Sequence, residues 1–158
     1  MSLLKPYLPT QSANPKYYEH GGSLMALGFI HQKTKDPEVL TYILDQLKNP
    51  QNNQNEVIIH GACQALGLIG LGSEDMTLYE EMKNILFTNQ AVTGEAAGMG
   101  IGMLMAGSGN TQIQQELLEY AKDTQHEKII RSLSLALAMS CFAKEDSADA
   151  LIDTLMSE

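Results

Sequence analysis

Small and apolar residues of this chain are concentrated in four stretches that contain no Asp, Glu, Lys or Arg. These stretches are residues 22–32, 61–72, 96–107 and 132–143. Between them, apolar residues recur three and four positions apart among charged ones, as Leu40, Ile43 and Leu47 do. This spacing predicts amphipathic helices, whereas a charge-free helix is expected to be covered on most of its sides. The pattern predicts pairs of unlike helices, with the charge-free member in the inner layer.

The four charge-free stretches also resemble one another, because they align at offsets of 39, 35 and 36 residues. Three aligned columns hold only small residues: Gly22, Gly61, Ala96 and Ser132; Ala26, Ala65, Gly100 and Ala136; Gly28, Gly67, Gly102 and Ala138. A fourth column holds Leu27, Leu66, Ile101 and Leu137. Self-similarity at this period is typical of an α-solenoid, so we predict an all-α fold of helix-turn-helix repeats of about 35–39 residues. The four columns are its structural signature, and small residues four apart are expected to let neighbouring helices approach closely.

The second helix of each unit is preceded by a helix-start signal. Asp36 stands before Pro37, and the sequences Ser73-Glu74-Asp75 and Asn110-Thr111 play the same part later. We divide the chain into units at 18–55, 56–90, 91–126 and 127–158, preceded by the end of another unit at 1–17. The first three residues resemble a cloning scar, so we expect about four repeats of a longer array. Repeat arrays need polar end caps, and an uncapped fragment is expected to self-associate.

The repeat core resembles the proteasome/cyclosome repeat, which is marked by an Ala-Leu-Gly-Leu sequence. That mark appears as 26–29 (Ala-Leu-Gly-Phe), 65–68 (Ala-Leu-Gly-Leu) and 100–103 (Gly-Ile-Gly-Met). The runs Thr93-Gly94-Glu95 and Gln125-His126-Glu127 extend the resemblance to proteasome scaffold subunits of this family. The last unit differs, with Ser132, Ala138 and Ala143 where the family tends to have Gly.

The resemblance implies a non-catalytic scaffold segment of the 26S proteasome regulatory particle base, forming an arc of an α-α toroid. It implies other regulatory-particle subunits as partners, a role in ubiquitin-dependent degradation, and a location in cytoplasm and nucleus. One alternative is a recognition module that binds ubiquitin, ubiquitin-like domains or partner peptides. A second alternative is a toroid segment of the anaphase-promoting complex. Which residues would bind a partner stays open.

Charge narrows the classes of partner. With 10 basic and 19 acidic residues the formal net charge is −9, which disfavours binding to nucleic acid or an anionic membrane. The acidic runs Glu80-Glu81, Glu145-Asp146 and 149–153 are expected to form a solvated outer face; docking onto basic patches of a partner is the alternative. No uncharged stretch is predominantly apolar over the roughly 20 residues that a membrane helix needs.

Candidate chemistry is sparse in this sequence. The four histidines (His20, His31, His60 and His126) lack the i, i+4 spacing of a helical metal pair, so we expect neither metal nor catalysis. The glycines of 98–102 do not fit G-x-G-x-x-G, and no cofactor is expected. Cys63 and Cys141 are predicted to be buried structural thiols about 20 Å apart, in a reducing compartment.

Overall fold

The computed structural model describes residues 4–9, 16–49, 52 and 55–156. The expected scar at 1–3 lies outside them. Two 3₁₀ turns, Lys5–Tyr7 and Glu145–Ala148, accompany the α-helices. The helices are α1 (Tyr17–Ile30), α2 (Pro37–Lys48), α3 (Glu56–Ile69), α4 (Met76–Leu86), α5 (Ala91–Leu104), α6 (Thr111–Asp123), α7 (Glu127–Ser140) and α8 (Asp149–Met156). The described residues form no strand, and the predicted all-α solenoid class is confirmed.

The helices form two layers. The odd-numbered helices pack side by side, α1 on α3, α3 on α5 and α5 on α7, while α2, α4 and α6 each pack on the odd-numbered helix that follows them. The odd layer contains the charge-free stretches. Its two central helices, α3 and α5, bury nine residues each, whereas α2 buries two.

The expectation that every charge-free helix is covered on most sides is wrong for the two outermost ones. Phe29 of α1 and Leu135 of α7 are 57% and 48% exposed. The physical reason is that each of these helices has an odd-layer neighbour on one side only among the described residues.

Local capping explains where the even-numbered helices begin. Asp36 precedes α2 and its carboxylate accepts from the backbone N–H of Glu38 and Val39, at 3.0 and 3.3 Å. Asp75 caps α4 in the same way, and Asn110 caps α6 through the N–H of Ile113. Such caps satisfy N–H groups that have no partner inside the helix, and each is worth about 1 kcal/mol.

The loop after each odd-numbered helix has a repeated backbone shape, with two left-handed residues two positions apart. Their φ angles lie between 48° and 71° in the four pairs: Lys33 and Lys35, Gly72 and Glu74, Gly107 and Gly109, Ala143 and Glu145. Left-handed backbone favours glycine and costs other residues about 1 kcal/mol. Ala143, which stands where the family tends to have glycine, adopts this left-handed conformation.

The Leu/Ile column lies at the centre of one continuous core. Leu27, Leu66, Ile101 and Leu137 are each at most 1% exposed.

No helix in the described part of the chain is both long enough and apolar enough to span a bilayer.

Candidate functional site: the junctions between repeats

Each junction between neighbouring odd-numbered helices is a place of backbone contact at glycine. A Cβ placed on Gly28, Gly67 or Gly102 would lie 2.6 to 2.7 Å from a Cα atom of the next odd-numbered helix. The Cα atoms are those of Ala65, Gly100 and Ala136, respectively. No side chain fits at such a distance, so the helices approach until backbone meets backbone. This close packing offsets the roughly 1 kcal/mol that a mid-helix glycine costs relative to alanine.

The small-residue columns face opposite ways. We call the side of an odd-numbered helix that meets the next odd-numbered helix its forward face, and the other its backward face. The forward column is Gly28, Gly67, Gly102 and Ala138; one backward column is Ala26, Ala65, Gly100 and Ala136. The other backward column is Gly22, Gly61, Ala96 and Ser132, in which Gly61 contacts the Gly21 carbonyl and Ser132 contacts Gly98.

The two end members of these columns do not make the expected close approach. Gly22 is exposed, with nothing within 4 Å of where its Cβ would lie, and Ala138 is exposed on α7. Gly21, one position before Gly22, lies against Val57 and Gly61 of α3 instead. Gly22 lies on the backward face of α1, where the described residues provide no preceding odd-numbered helix.

A ladder of backbone hydrogen bonds reinforces every junction. In the first three of these loops, the two left-handed residues donate their N–H groups to the last two carbonyls of the next odd-numbered helix, at 2.9 to 3.3 Å. The pairs are Lys33 to Leu68 and Lys35 to Ile69, Gly72 to Met103 and Glu74 to Leu104, and Gly107 to Met139 and Gly109 to Ser140. The carbonyls of Leu68, Met103 and Met139 also accept from the turn that follows their own helix, whereas the ladder supplies the backbone donor for those of Ile69, Leu104 and Ser140, at helix ends that lack internal partners. Sequence reasoning missed this feature, for which only Gly72, Gly107 and Gly109 gave a signal.

The even-numbered helices are joined by long polar side chains. The Glu116 carboxylate of α6 accepts from the Tyr79 hydroxyl at 2.6 Å and from Lys83 Nζ at 2.5 Å, both on α4. Lys48 of α2 pairs with Glu81 of α4 at 2.6 Å. Acidic residues of the predicted solvated face therefore also link neighbouring repeats.

This bridging shifts the pKa values of the groups involved. Burial favours the protonated form of Glu116, but the hydrogen bonds from Lys83 and Tyr79 outweigh it and lower the pKa of the carboxyl. The hydrogen bond to Glu116 raises the pKa of Lys83. Burial, followed by the bond to Glu116, raises the pKa of Tyr79 well above its usual range.

Glu116→Gln is expected to lower the free energy of unfolding at pH 7 by about 1 kcal/mol, because it removes a charge-assisted hydrogen bond. A carboxyl with a lowered folded-state pKa stabilises the fold above its unfolded pKa, and loses this contribution as pH falls through the folded value. The difference between the variant and wild type should therefore close in acid. Urea unfolding at several pH values measures it. Glu119→Gln, an exposed neighbour on α6, is the control and should change little; an equal loss in both variants would contradict the bridge.

Part of the predicted outer face is solvated. Glu80 and Glu119 are exposed and line a cleft between α4 and α6. Asp149 and Asp153 are exposed on α8. The side chain of Asp146 lies outside the described residues.

The histidines and cysteines are spread through the fold. His20 is buried, His60 is half-buried, His31 follows α1 with Nδ1 3.5 Å from Asp36 Oδ2, and His126 precedes α7. Among described residues, no group of three or more His, Cys, Asp or Glu is placed to hold a metal ion.

Cys63 is buried as predicted, and burial raises the pKa of its thiol to about 12. The prediction that Cys141 is buried is wrong. It lies partly exposed at the end of α7, where the described chain offers no further odd-numbered helix, and its Sγ is 3.3 Å from Gln114 Nε2.

These helix pairs, joined by glycine contacts and a backbone ladder, define the chain as an array of stacked repeats. Residues 61–95 and 96–130 each match the family model of the proteasome/cyclosome repeat. Residues 61–130 therefore consist of two proteasome/cyclosome repeats, and the resemblance inferred from the sequence is confirmed.

The particular relatives are subunits of the proteasome. The chain is 41% identical over 158 residues, its whole length, to 26S proteasome non-ATPase regulatory subunit 1 of Drosophila melanogaster. It is 42% identical over 98% of its length to homolog A of that subunit in Arabidopsis thaliana, and 38% identical over its whole length to the 26S proteasome regulatory subunit rpn2 of Schizosaccharomyces pombe. The chain spans 15% of the first two relatives and 16% of the third.

Proposed function

We propose that this chain is a non-catalytic scaffold segment of the 26S proteasome regulatory particle, where it supports assembly and ubiquitin-dependent degradation. The observation that carries the proposal is the similarity along the whole chain to proteins named as regulatory subunits of the 26S proteasome. Its partners are then other subunits of the regulatory particle, and its function is to hold them in place through its shape.

The junctions support a scaffold because they specify shape. Backbone contact in the odd layer leaves neighbouring helices no room to slide, since the atoms that meet at Gly67 and Gly100 are main-chain atoms. In the even layer the connection runs through extended side chains such as Lys83 to Glu116. Short contacts in one layer and long ones in the other favour a stack that curves toward the odd layer, which fits an arc of a ring.

The absence of catalysis is part of this proposal, and the state of Cys63 supports it. The Cys63 thiol is buried with its pKa raised to about 12, so it is protonated at neutral pH. A thiol acts as a nucleophile in its thiolate form, which Cys63 does not supply.

A segment exchange tests the scaffold role. In the fission-yeast subunit, the matching segment is replaced by this chain, and incorporation into purified 26S particles is measured. We expect the exchanged subunit to be incorporated, whereas the same exchange with Gly67→Leu should fail because the junction is overpacked. An exchanged subunit that folds and is left out of the particle would contradict the proposal.

The recognition alternative is tested separately on the 158-residue chain. Titration with ubiquitin, followed by NMR, should give no saturable shifts if the segment acts only through its shape. Saturable shifts confined to one group of residues would instead establish the recognition module and contradict a purely structural role.

A further inference from the structure

The contact between α3 and α5 at Gly67 is covered by a methionine side chain. The methyl carbon of Met103, on α5, lies 2.9 Å from where a Cβ of Gly67 would stand. The other atoms nearest to that point are the Cα and the carbonyl oxygen of Gly100. Met103 is half-buried, so the side chain that covers the contact also reaches the surface. Because α5 packs against an odd-numbered helix on both sides, this exposure does not come from a missing neighbour.

The place that Met103 occupies recurs at the other two junctions. Between α1 and α3 the residue is Leu68, whose Cδ1 atom lies 3.1 Å from where a Cβ of Gly28 would stand. Between α5 and α7 it is Met139, whose Sδ atom lies 3.1 Å from the equivalent point on Gly102. A leucine therefore covers the glycine at one junction, and a thioether that can be oxidised covers it at the other two.

A hydroperoxide converts such a thioether into a sulfoxide. A lone pair of Sδ attacks one peroxide oxygen, so that an S–O bond forms while the O–O bond breaks. With hydrogen peroxide, the oxygen that leaves takes up the proton of the transferred hydroxyl and becomes water. The sulfur loses two electrons, which reduce the peroxide, and the flexible apolar side chain becomes polar and chiral. The new oxygen needs a hydrogen-bond donor or water, since burial of an unpaired polar group is unfavourable.

The methionines of the chain differ in exposure and in what they contact. Met82 Sδ also lies against a glycine, 2.6 Å from where a Cβ of Gly100 would stand, but Met82 is 0% exposed. Met105 is 1% exposed. Met76 is 48% exposed, and it is not among the atoms nearest to any glycine. Met103 combines partial exposure with contact at a junction glycine.

We propose that Met103 is a site of reversible oxidation by hydroperoxides, and that the sulfoxide weakens the junction between α3 and α5. The N–H groups around Gly67 lie inside helices and are already bonded, so the sulfoxide oxygen turns out to water. The contact of Gly67 with Gly100 then loses its apolar cover. The loss of stability is smaller than for Gly67→Leu, because the main-chain contact itself remains. The site belongs to the junction and not to a partner surface, so it is independent of the scaffold role proposed above.

Treatment of the folded 158-residue chain with hydrogen peroxide tests the proposal. Peptide mass spectrometry measures the oxidised fraction of each methionine, and urea unfolding measures the stability of the same samples. Met103 should be oxidised while Met82 and Met105 remain intact, and the urea midpoint should fall as Met103 is oxidised. A mixture of the two methionine sulfoxide reductases, one for each epimer, should restore both the thioether and the midpoint.

Met103→Leu is the matched variant, because Leu68 occupies the equivalent place beside Gly28. Before oxidation its urea midpoint should equal that of wild type, and after oxidation the midpoint should fall less. Met99→Leu is the control, since it removes another half-buried methionine one turn earlier in α5. Its midpoint should fall on oxidation as much as that of wild type.

Four results would overturn the proposal. Oxidation of Met103 only together with Met82 and Met105 would show that peroxide reaches all three by unfolding. An unchanged midpoint after complete oxidation of Met103, or a midpoint that the reductases do not restore, would separate the sulfoxide from stability. An equal fall in wild type and Met103→Leu would assign the effect to other methionines. The first three results require no substitution, so they decide the proposal even if Met103→Leu does not fold.

Discussion

Replacement of Gly67 by leucine is expected to lower the free energy of unfolding by about 3 kcal/mol or more. A Cβ at this position would lie 2.7 Å from both the Cα and the carbonyl oxygen of Gly100, and 2.9 Å from the terminal methyl of Met103. The methyl group can move aside, but the α5 backbone moves only if α3 and α5 separate. Leucine gains about 1 kcal/mol in helix propensity over glycine, which offsets only part of this cost.

Urea unfolding at low protein concentration measures the effect as a shift of the midpoint at an unchanged slope. Gly22→Leu is the matched control, because it makes the same change in a charge-free helix where nothing lies within 4 Å. It should leave stability unchanged or raise it slightly. A loss below about 0.5 kcal/mol at Gly67 would show that the junction can relax and that backbone contact is not what holds the repeats together.

The glycine content of the chain follows from how its repeats stack. In most proteins a core grows by adding bulky side chains, but here the odd-numbered helices meet at residues without a side chain, such as Gly28 and Gly102. The bulk lies between the layers instead, in Leu27, Leu66 and their equivalents. An array built in this way holds fixed distances between distant surfaces, as a scaffold must.

Much of the fold could be predicted because it depends on local chemistry that recurs. The helix pairs follow from the spacing of apolar residues, and the helix starts at Asp36, Asp75 and Asn110 follow from side chains that cap them. The signature columns follow from alignment of the chain with itself. These signals depend on residues that are close together in the sequence, and each of them recurs in several repeats of the chain.

The direction of each column could not be predicted, because the forward and backward columns are both made of small residues. The ladder could not be predicted because three of its six donors, Lys33, Lys35 and Glu74, adopt left-handed backbone without being glycine. The bridge from Tyr79 to Glu116 joins residues 37 positions apart, and only the relative placement of α4 and α6 reveals it. Cys141 is partly exposed because no further odd-numbered helix packs on α7 among the described residues, and its own sequence context does not show this.

The most direct measurement of the role of backbone contact is the difference in stability between Gly102→Ala and Gly22→Ala. Alanine favours a helix over glycine by about 1 kcal/mol, so propensity alone predicts that both variants gain stability. At Gly102, however, the added methyl would lie 2.7 Å from the Cα of Ala136 and 3.0 Å from its Cβ. We expect Gly102→Ala to lose about 1 to 3 kcal/mol and Gly22→Ala to gain up to 1 kcal/mol in urea unfolding. An equal gain in the free energy of unfolding in both variants would contradict the claim that backbone contact holds the odd-numbered helices together.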